Sequence, residues 1–469
     1  MSIIEKSFKS FIFNISGAAL GFIFQILSAK YFGAEIYGQA NYYLGYCYTI
    51  NIFICFGLQT YLPKIITNVE NKKELFSEVI TTYTISFLIM QIPLFLILKN
   101  SNISIFNYFI IIILSYFISL SEIILSYNIS MGNAAKGMFY RKFMYSTFNV
   151  FLFLIACIFT VKKYYIYIFI MIISYIFTCV PFLIKNMCKL KVNFKIIKYS
   201  LGFYIIQIVY GVYSAYSKVL QKQYGTFQTV AVLSVSMTIG TLVAMLGDNF
   251  AKVSMPEFSK AWSEKNFKNM KHVYMTVSRI NCFLVLPIAI ALIVNANKIL
   301  NILGKGYIGG EIIFSLIMIS QFTNSFTGPN GTILVMTKYT KFEIFNGVIK
   351  LMVSILVVLL LGNKLVWAVA LSLALSEIVV NVLKCIEVKI KLGILPYETK
   401  DLFYILIIGA IETIILISIS KIDNFILWIL LNGIMIIIFH VMTFRLSPNK
   451  NDRDMIRNIK LSTIKMRIF

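Results

Sequence analysis

The chain has 469 residues, of which 59% are apolar or aromatic and only 13% are charged, and its mean hydropathy is +0.83. Lys and Arg number 43 against 19 Asp and Glu, a formal net charge of +24. That hydropathy excludes a disordered chain, a disulfide scaffold and a soluble nucleic-acid binder, whatever the basic charge suggests, and leaves an all-α polytopic membrane protein.

A bilayer core about 30 Å thick asks for roughly 20 mostly apolar residues per crossing. In chain order the segments that meet this are Ser10 to Ala29, Gly38 to Leu62, Val79 to Leu98, Ile105 to Tyr127, Phe143 to Val161, Tyr164 to Ile184 and Ser200 to Gln221. They continue with Val230 to Phe250, Val277 to Ala296, Ile312 to Met336, Phe342 to Leu361, Leu365 to Val388, Leu402 to Ser420 and Phe425 to Phe444, which makes 14 spans. No small-residue cleavage site follows the first, so it is read as a retained helix. With the N-terminus placed inside, 32 Lys and Arg fall on inner segments and 10 on outer ones, while Lys350 lies mid-span. The positive-inside rule then predicts that both termini are cytoplasmic. Trp367 and Trp428 fall at outer helix ends, where interfacial indoles collect.

The seven cysteines lie in or beside spans without Cys-x-x-Cys spacing and are read as small apolar filler. His272 falls in an inner loop and His440 near the inner end of the last span, with no cluster that could ligate a metal, so no metal or other cofactor is expected.

The halves echo each other. Gly33, Pro63 and Pro93 are spaced 30 and 30 residues apart, and Gly225, Pro256 and Pro287 are spaced 31 and 31. Tyr31-Phe32-Gly33 follows the first span as Gln223-Tyr224-Gly225 follows the seventh. The expected architecture is two pseudo-symmetric six-helix bundles, residues 1–190 and 191–395, with two extra C-terminal helices and a basic tail in residues 396–469.

At 100° per residue, four repeat-related spans carry a polar face. Span 1 has Asn14, Gly17, Gly21, Gln25 and Ser28, and span 2 has Asn41, Gly45, Tyr48 and Gln59. Span 7 has Gln207, Tyr210, Ser214, Ser217, Lys218 and Gln221, and span 8 has Ser234, Thr238, Thr241, Asp248 and Lys252. Two readings fit, the walls of an aqueous cavity or faces that glue helices together. On the first reading the candidate cavity residues are Asn14, Gln25, Gln59, Gln207, Ser214, Lys218, Gln221 and Lys222.

Each ionisable group inside the membrane costs about 2.5 to 3.5 kcal/mol on the insertion scale and needs a reason. Lys218 and Lys222 sit near the outer end of span 7, where snorkelling to the interface is the alternative to a cavity role. Glu122 shares a face of span 4 with Ser115, Ser119 and Ser126, and Asp248 is one turn from Lys252. Lys350 and Glu377 stand 13.5 residues either side of the turn between Asn363 and Lys364, so an antiparallel hairpin sets them at equal depth and predicts an ion pair. Glu122, Asp248, Lys350 and Glu377 are the candidates for coupling or ion pairing. Glu412 in span 13 has no evident partner. Gly328-Pro329-Asn330-Gly331 should break span 10, because proline removes a ladder donor and clashes with the preceding turn; Gly328, Pro329 and Gly331 are the candidate hinge.

Several stretches, in order along almost the whole chain, resemble the polysaccharide transporters of the multidrug/oligosaccharidyl-lipid/polysaccharide superfamily, which include the O-antigen and capsule repeat-unit flippases. The first are Asn14, Gly17, Gly21 and Gln25, followed by Tyr31-Phe32-Gly33-Ala34-Glu35-Ile36-Tyr37-Gly38. The second half adds Tyr199-Ser200-Leu201, Met255-Pro256 with the following Trp262 region, Ile302-Leu303-Gly304-Lys305-Gly306-Tyr307, Gly328-Pro329-Asn330-Gly331 and Leu392-Gly393-Ile394-Leu395-Pro396. Two departures bear on coupling and substrate. Ser217-Lys218 stands where the family often has an aspartate, and Leu365 to Ala370 lacks the family's glycine-alanine entry to helix twelve.

The resemblance implies a non-enzymatic flippase of the bacterial cytoplasmic membrane, moving undecaprenyl-diphosphate-linked oligosaccharide repeat units between leaflets by alternating access. It implies the lipid-linked glycan and membrane lipids as partners, a polysaccharide polymerase and chain-length proteins as further ones, and no nucleic acid. Lys218 and Lys222 would meet the anionic group. A small-molecule or multidrug exporter of the same superfamily is the first rival reading. A membrane-embedded glycosyltransferase or polymerase is the second, and the short outer loops, the longest about residues 297–311 with Glu311 its only acid, speak against it.

Overall fold

The computed structural model describes residues 3–66, 69–99, 103–188, 190–449 and 453. Among them the regular structure is entirely helical. The first nine α-helices are α1 Ile3–Ile54, α2 Leu58–Ile65, α3 Lys72–Lys99, α4 Ile105–Ser130, α5 Ala134–Met138, α6 Tyr145–Ile158, α7 Tyr164–Asn186, α8 Lys195–Gln223 and α9 Phe227–Ser263. The rest are α10 Phe267–Val294, α11 Ala296–Leu303, α12 Glu311–Phe326, α13 Asn330–Met336, α14 Thr340–Leu361, α15 Ala368–Leu392, α16 Thr399–Ser420 and α17 Phe425–Arg445. A π-helical turn, Phe139–Met144, joins α5 to α6, and a 3-10 turn, Lys305–Tyr307, follows α11.

Among the described residues, 11 helical runs are long and apolar enough to cross a membrane unaided. The first, Lys9–Ile65, holds two crossings, because α1 is bent at Gly33. Helix α8, 29 residues long and diluted by its polar stripe, supplies another. Helices α12 and α13, the two parts of expected span 10, are each too short to cross alone.

Three local differences from the expected spans have physical causes. Spans 1 and 2 are not separated by a loop: only Gly33 departs from helical geometry, with φ 75° and ψ 166°, a region closed to other residues. The expected outer loop at residues 297–311 contains α11, which buries Ala296, Leu300 and Leu303. Trp428 is not an interfacial belt residue but is buried, donating its indole N–H to Asn295 Oδ1 at 2.7 Å; Asn295 in turn donates to Asn432 Oδ1 at 2.8 Å.

The chain forms two compact units, one up to Val235 and one from Ser236. In the first, α1 runs along α4, α6, α7 and α8, while α4 also packs on α2, α3 and α7. Its interior is aromatic: the Phe24 and Tyr167 rings stack at 5.2 Å, and Phe153 meets Phe24 edge-on at 6.0 Å. In the second, α10 packs on α12, α16 and α17, and α15 on α12 and α14. The C-terminal pair is therefore built onto α10. Its entry is fixed by a capping box in which Asp401 accepts from the Glu398 N–H at 3.1 Å. Just outside the span, the hydrogen-bonded Lys400 ammonium 2.8 Å away holds the Glu398 carboxyl below the usual carboxylate range.

A Cβ at Gly33 would meet nothing within 4 Å, so the cost of a side chain there is backbone strain alone. Gly33→Ala is expected to destabilise the protein by about 1 to 3 kcal/mol. The unfolding midpoint of the purified protein in detergent measures it, and an unchanged midpoint would contradict the strained bend.

Candidate functional site

In the first unit, the polar faces of spans 2 and 7 meet where α1 runs beside α8, whereas the face of span 1 turns to Lys142, Phe143 and Ser146 at Gly17 and Gly21. Gly45 allows the approach, since a Cβ there would lie 3.2 Å from Lys218 Cβ. The Lys218 ammonium donates to Asn41 Oδ1 at 2.8 Å and lies 5.9 Å from the centroid of the Tyr48 ring. Lys222, one turn on, lies 4.7 Å from the Phe227 ring centroid.

The other candidates divide. Gln25 Oε1 accepts from the Tyr37 hydroxyl at 2.6 Å and the Tyr167 hydroxyl at 2.8 Å, so it is tied to its own bundle. Gln59 Oε1 accepts from Cys55 Sγ at 2.5 Å, and Gln207 Nε2 donates to Thr60 Oγ1 at 2.8 Å. Gln221 is fully buried, Asn14 is half-buried and Ser214 is exposed. The stripes thus contain both readings: packing at Gln25, Gln59 and Gln207, and an exposed face at Ser214.

Glu122 has a partner the sequence did not offer. Arg141, counted among the inner-loop cations, lies in the π-helical turn and reaches Glu122 Oε1 at 3.4 Å. The side chain of Asp248 lies outside the described residues.

In the second unit, Lys350 of α14 donates to Glu377 Oε2 of α15. One further residue, Asn381, links the pair to the broken helix. Glu377 Oε1 accepts from Asn381 Nδ2 at 3.0 Å, while Asn381 Oδ1 accepts from Thr327 Oγ1 at 2.9 Å and Asn330 Nδ2 at 3.0 Å. A second pair of opposite sense, Lys384 of α15 with Glu343 of α14 at 2.6 Å, lies further along the hairpin. Asn381 and the Glu343 pair were absent from the sequence reading, although their 54-residue and 41-residue separations need only the same hairpin arithmetic plus the span 10 break.

At the break itself, α12 ends at Phe326 and α13 begins at Asn330. Gly328 takes φ +69°, and a Cβ there would lie 2.0 Å from Ser278 Oγ, so both conformation and space demand glycine. Pro329 follows, and the Gly331 N–H is capped by Asn330 Oδ1 at 2.7 Å. Two further acids lie in the C-terminal helices. Asp401 meets Arg279 at 3.8 Å with both side chains buried. Glu412 is fully buried, and neither carboxylate oxygen has a hydrogen-bond partner among the described residues.

Removing one member of the Lys350–Glu377 pair strands the other. Glu377→Gln is expected to cost about 2 kcal/mol, the scale of a hydrogen bond to a charged group, and Lys350→Met added to it should recover part of the loss. Thermal unfolding of the two single variants and the double variant gives the coupling; additive effects would dissolve the pair.

No protein-family profile matches the chain, and neither does any curated protein. Solved structures do. The chain is similar to the lipid II flippase MurJ in an inward closed conformation, with a TM-score of 0.76 and 16% identity over 97% of this chain and 100% of that one. It is also similar to an inward-facing multidrug resistance MATE family transporter of the MOP superfamily (TM-score 0.57, 11% identity, 84% of this chain and 98% of that one). The Vibrio cholerae MATE transporter VcmN matches with a TM-score of 0.55 and 12% identity, over 83% of this chain and 98% of that one. These neighbours are a flippase and multidrug transporters, not enzymes. At such identities the likeness shows the fold alone, and this chain has the fold that these transporters share.

Proposed function

We propose that this chain is a flippase that carries undecaprenyl-diphosphate-linked oligosaccharide repeat units of a surface polysaccharide, O-antigen or capsule, across the bacterial cytoplasmic membrane by alternating access. The observation that carries the reading is the state of Lys218. Arg141, Arg279, Lys350 and Lys384 each have a carboxylate partner. Lys218, also within a span, has among the described residues a neutral amide oxygen and a tyrosine ring instead. An intramembrane cation without a counter-ion is a standing cost, and an anionic cargo removes it. A diphosphate is such a cargo. The hydroxyls and amides of the same faces receive the sugars, and the prenyl tail stays in lipid.

On this reading both termini are cytoplasmic, residues 1–190 and 191–395 are the two rocking halves, residues 396–469 are an addition to the second, and Gly328, Pro329 and Gly331 form a hinge. Glu122 and Asp248, with the Lys350 and Glu377 pair, are the groups proposed to couple the motion. A polysaccharide polymerase and chain-length proteins would act on the delivered units. The likeness to MATE transporters favours a second reading, a small-molecule exporter, but an uncompensated lysine repels the cationic compounds such a cavity would attract.

In cells that depend on this chain for surface polysaccharide, Lys218→Ala combined with Lys222→Ala is expected to lower display at least tenfold, since losing one partner of a desolvated charge pair costs about 2 to 5 kcal/mol. The variant protein should remain in the membrane, and Lys218→Arg should retain display. Normal display by the double alanine variant would overturn the cation role.

A further inference from the structure

Beside the break in span 10 the second unit has an open pocket of about 290 Å³, walled by α9, α10, α12 and α13, with the Lys384–Glu343 pair on its lining. Among the described residues, two uncharged side chains on its wall carry a buried polar atom with no hydrogen-bond partner. Asn281, only 2% exposed, donates its amide N–H to the Gly247 carbonyl at 3.4 Å, leaving Oδ1 without a partner. Ser325, also 2% exposed, has no partner for Oγ. Both come together at Gly247, where a Cβ would lie 3.0 Å from Ser325 Oγ and 3.5 Å from Asn281 Nδ2, so glycine keeps the wall open in front of them.

Buried polar groups are almost always satisfied, and two unsatisfied ones on the same cavity wall mark a place where a ligand completes the bonding. The chemistry of the wall selects the class. An amide oxygen and a hydroxyl, with Asn324 and Thr332 also on the lining, offer acceptors and donors but no unpaired charge. A hard cation wants six or more oxygens including carboxylates, and among the described residues of this lining the only carboxylate, Glu343, has Lys384 on one of its oxygens. A polyol meets the groups as they stand, and the volume, at the small end of ligand pockets, admits one ring and not a chain.

We propose that this cavity is a sugar subsite, seating one pyranose ring of the lipid-linked cargo against the broken helix; the inference rests on the flippase reading above. A ring seated there touches the segment whose Asn330 is bonded to Asn381, and Asn381 holds Glu377. Occupancy of the subsite is thus felt at the Lys350–Glu377 pair.

The test is equilibrium binding to the full chain in lipid nanodiscs with three probes: farnesyl diphosphate, and farnesyl diphosphate bearing N-acetylglucosamine or galactose. The wild-type chain should bind at least one sugar-bearing probe tenfold or more tighter than plain farnesyl diphosphate, because a site built to bond hydroxyls discriminates strongly against their absence. Asn281→Leu should bring that ratio to about one while plain farnesyl diphosphate binds as before, which also reports an intact fold. Ser325→Ala, a smaller change, should lower the ratio in the same direction. A sugar preference unchanged in both variants, or equal binding of all three probes by the wild type, overturns the subsite and leaves the flippase reading standing. Failure of every probe to bind the wild type overturns both.

Discussion

In hydrocarbon a peptide carbonyl without a donor costs several kcal/mol, so a membrane helix can stop only where something else supplies the missing bond. The interrupted helices obey this strictly. Where span 2 breaks between α1 and α2, Ser200 Oγ donates to the Phe56 carbonyl, and within α2 the Gln59 carbonyl, which Pro63 four residues on cannot bond, accepts from Ser126 Oγ, each at 2.6 Å. Where span 10 breaks, the Tyr397 hydroxyl donates to the Phe326 carbonyl and the Tyr274 hydroxyl to the Thr327 carbonyl at 3.3 Å. Every one of these donors comes from a different helix or loop. A break is therefore a tertiary feature, held open by its neighbours. Proline alone does not make one, as Pro93, Pro181, Pro256 and Pro287 lie inside uninterrupted helices.

The same rule orders the charges. Acids and bases within the spans are matched across helices: Glu122 with Arg141, Glu343 with Lys384, Glu377 with Lys350 and Asp401 with Arg279. The α14–α15 hairpin carries two such pairs in opposite senses, which fixes its register, because sliding one helix would set like beside like. Asn381 ties the hairpin to the break through Thr327 and Asn330, so the most polar part of the second unit is a single network running from the ion pair to the interrupted backbone. Against this pattern Lys218 and Glu412 stand out. Among the described residues one has only neutral partners and the other has no hydrogen bond to its carboxylate.

Much of this was legible in the residues. Apolar run length gives the crossings, and composition alone gives the all-helical class, because the bilayer leaves a single chain few other ways to satisfy its backbone. The Lys350 and Glu377 contact follows from counting outward from one turn, since adjacent antiparallel helices in a short hairpin have little freedom in depth. Gly33 and Gly328 announce bends, although only coordinates reveal that the first replaces a loop altogether.

What the residues left undecided was which polar groups face one another across helices distant in the chain. Arg141 reads as a loop cation until a π-helical turn carries it to Glu122, and the stripes of spans 1, 2 and 7 read equally as cavity or as glue. The tertiary structure divides them residue by residue, sending Gln25 into a tyrosine cluster and leaving Ser214 exposed. Helical periodicity fixes a side chain's direction around its own axis, whereas its partner depends on how far neighbouring helices are rotated and shifted. Length and hydropathy thus determined an all-helical membrane protein with many apolar helices. Only packing decided that Lys218 rests on Asn41 and that Asn281 and Ser325 open onto one cavity.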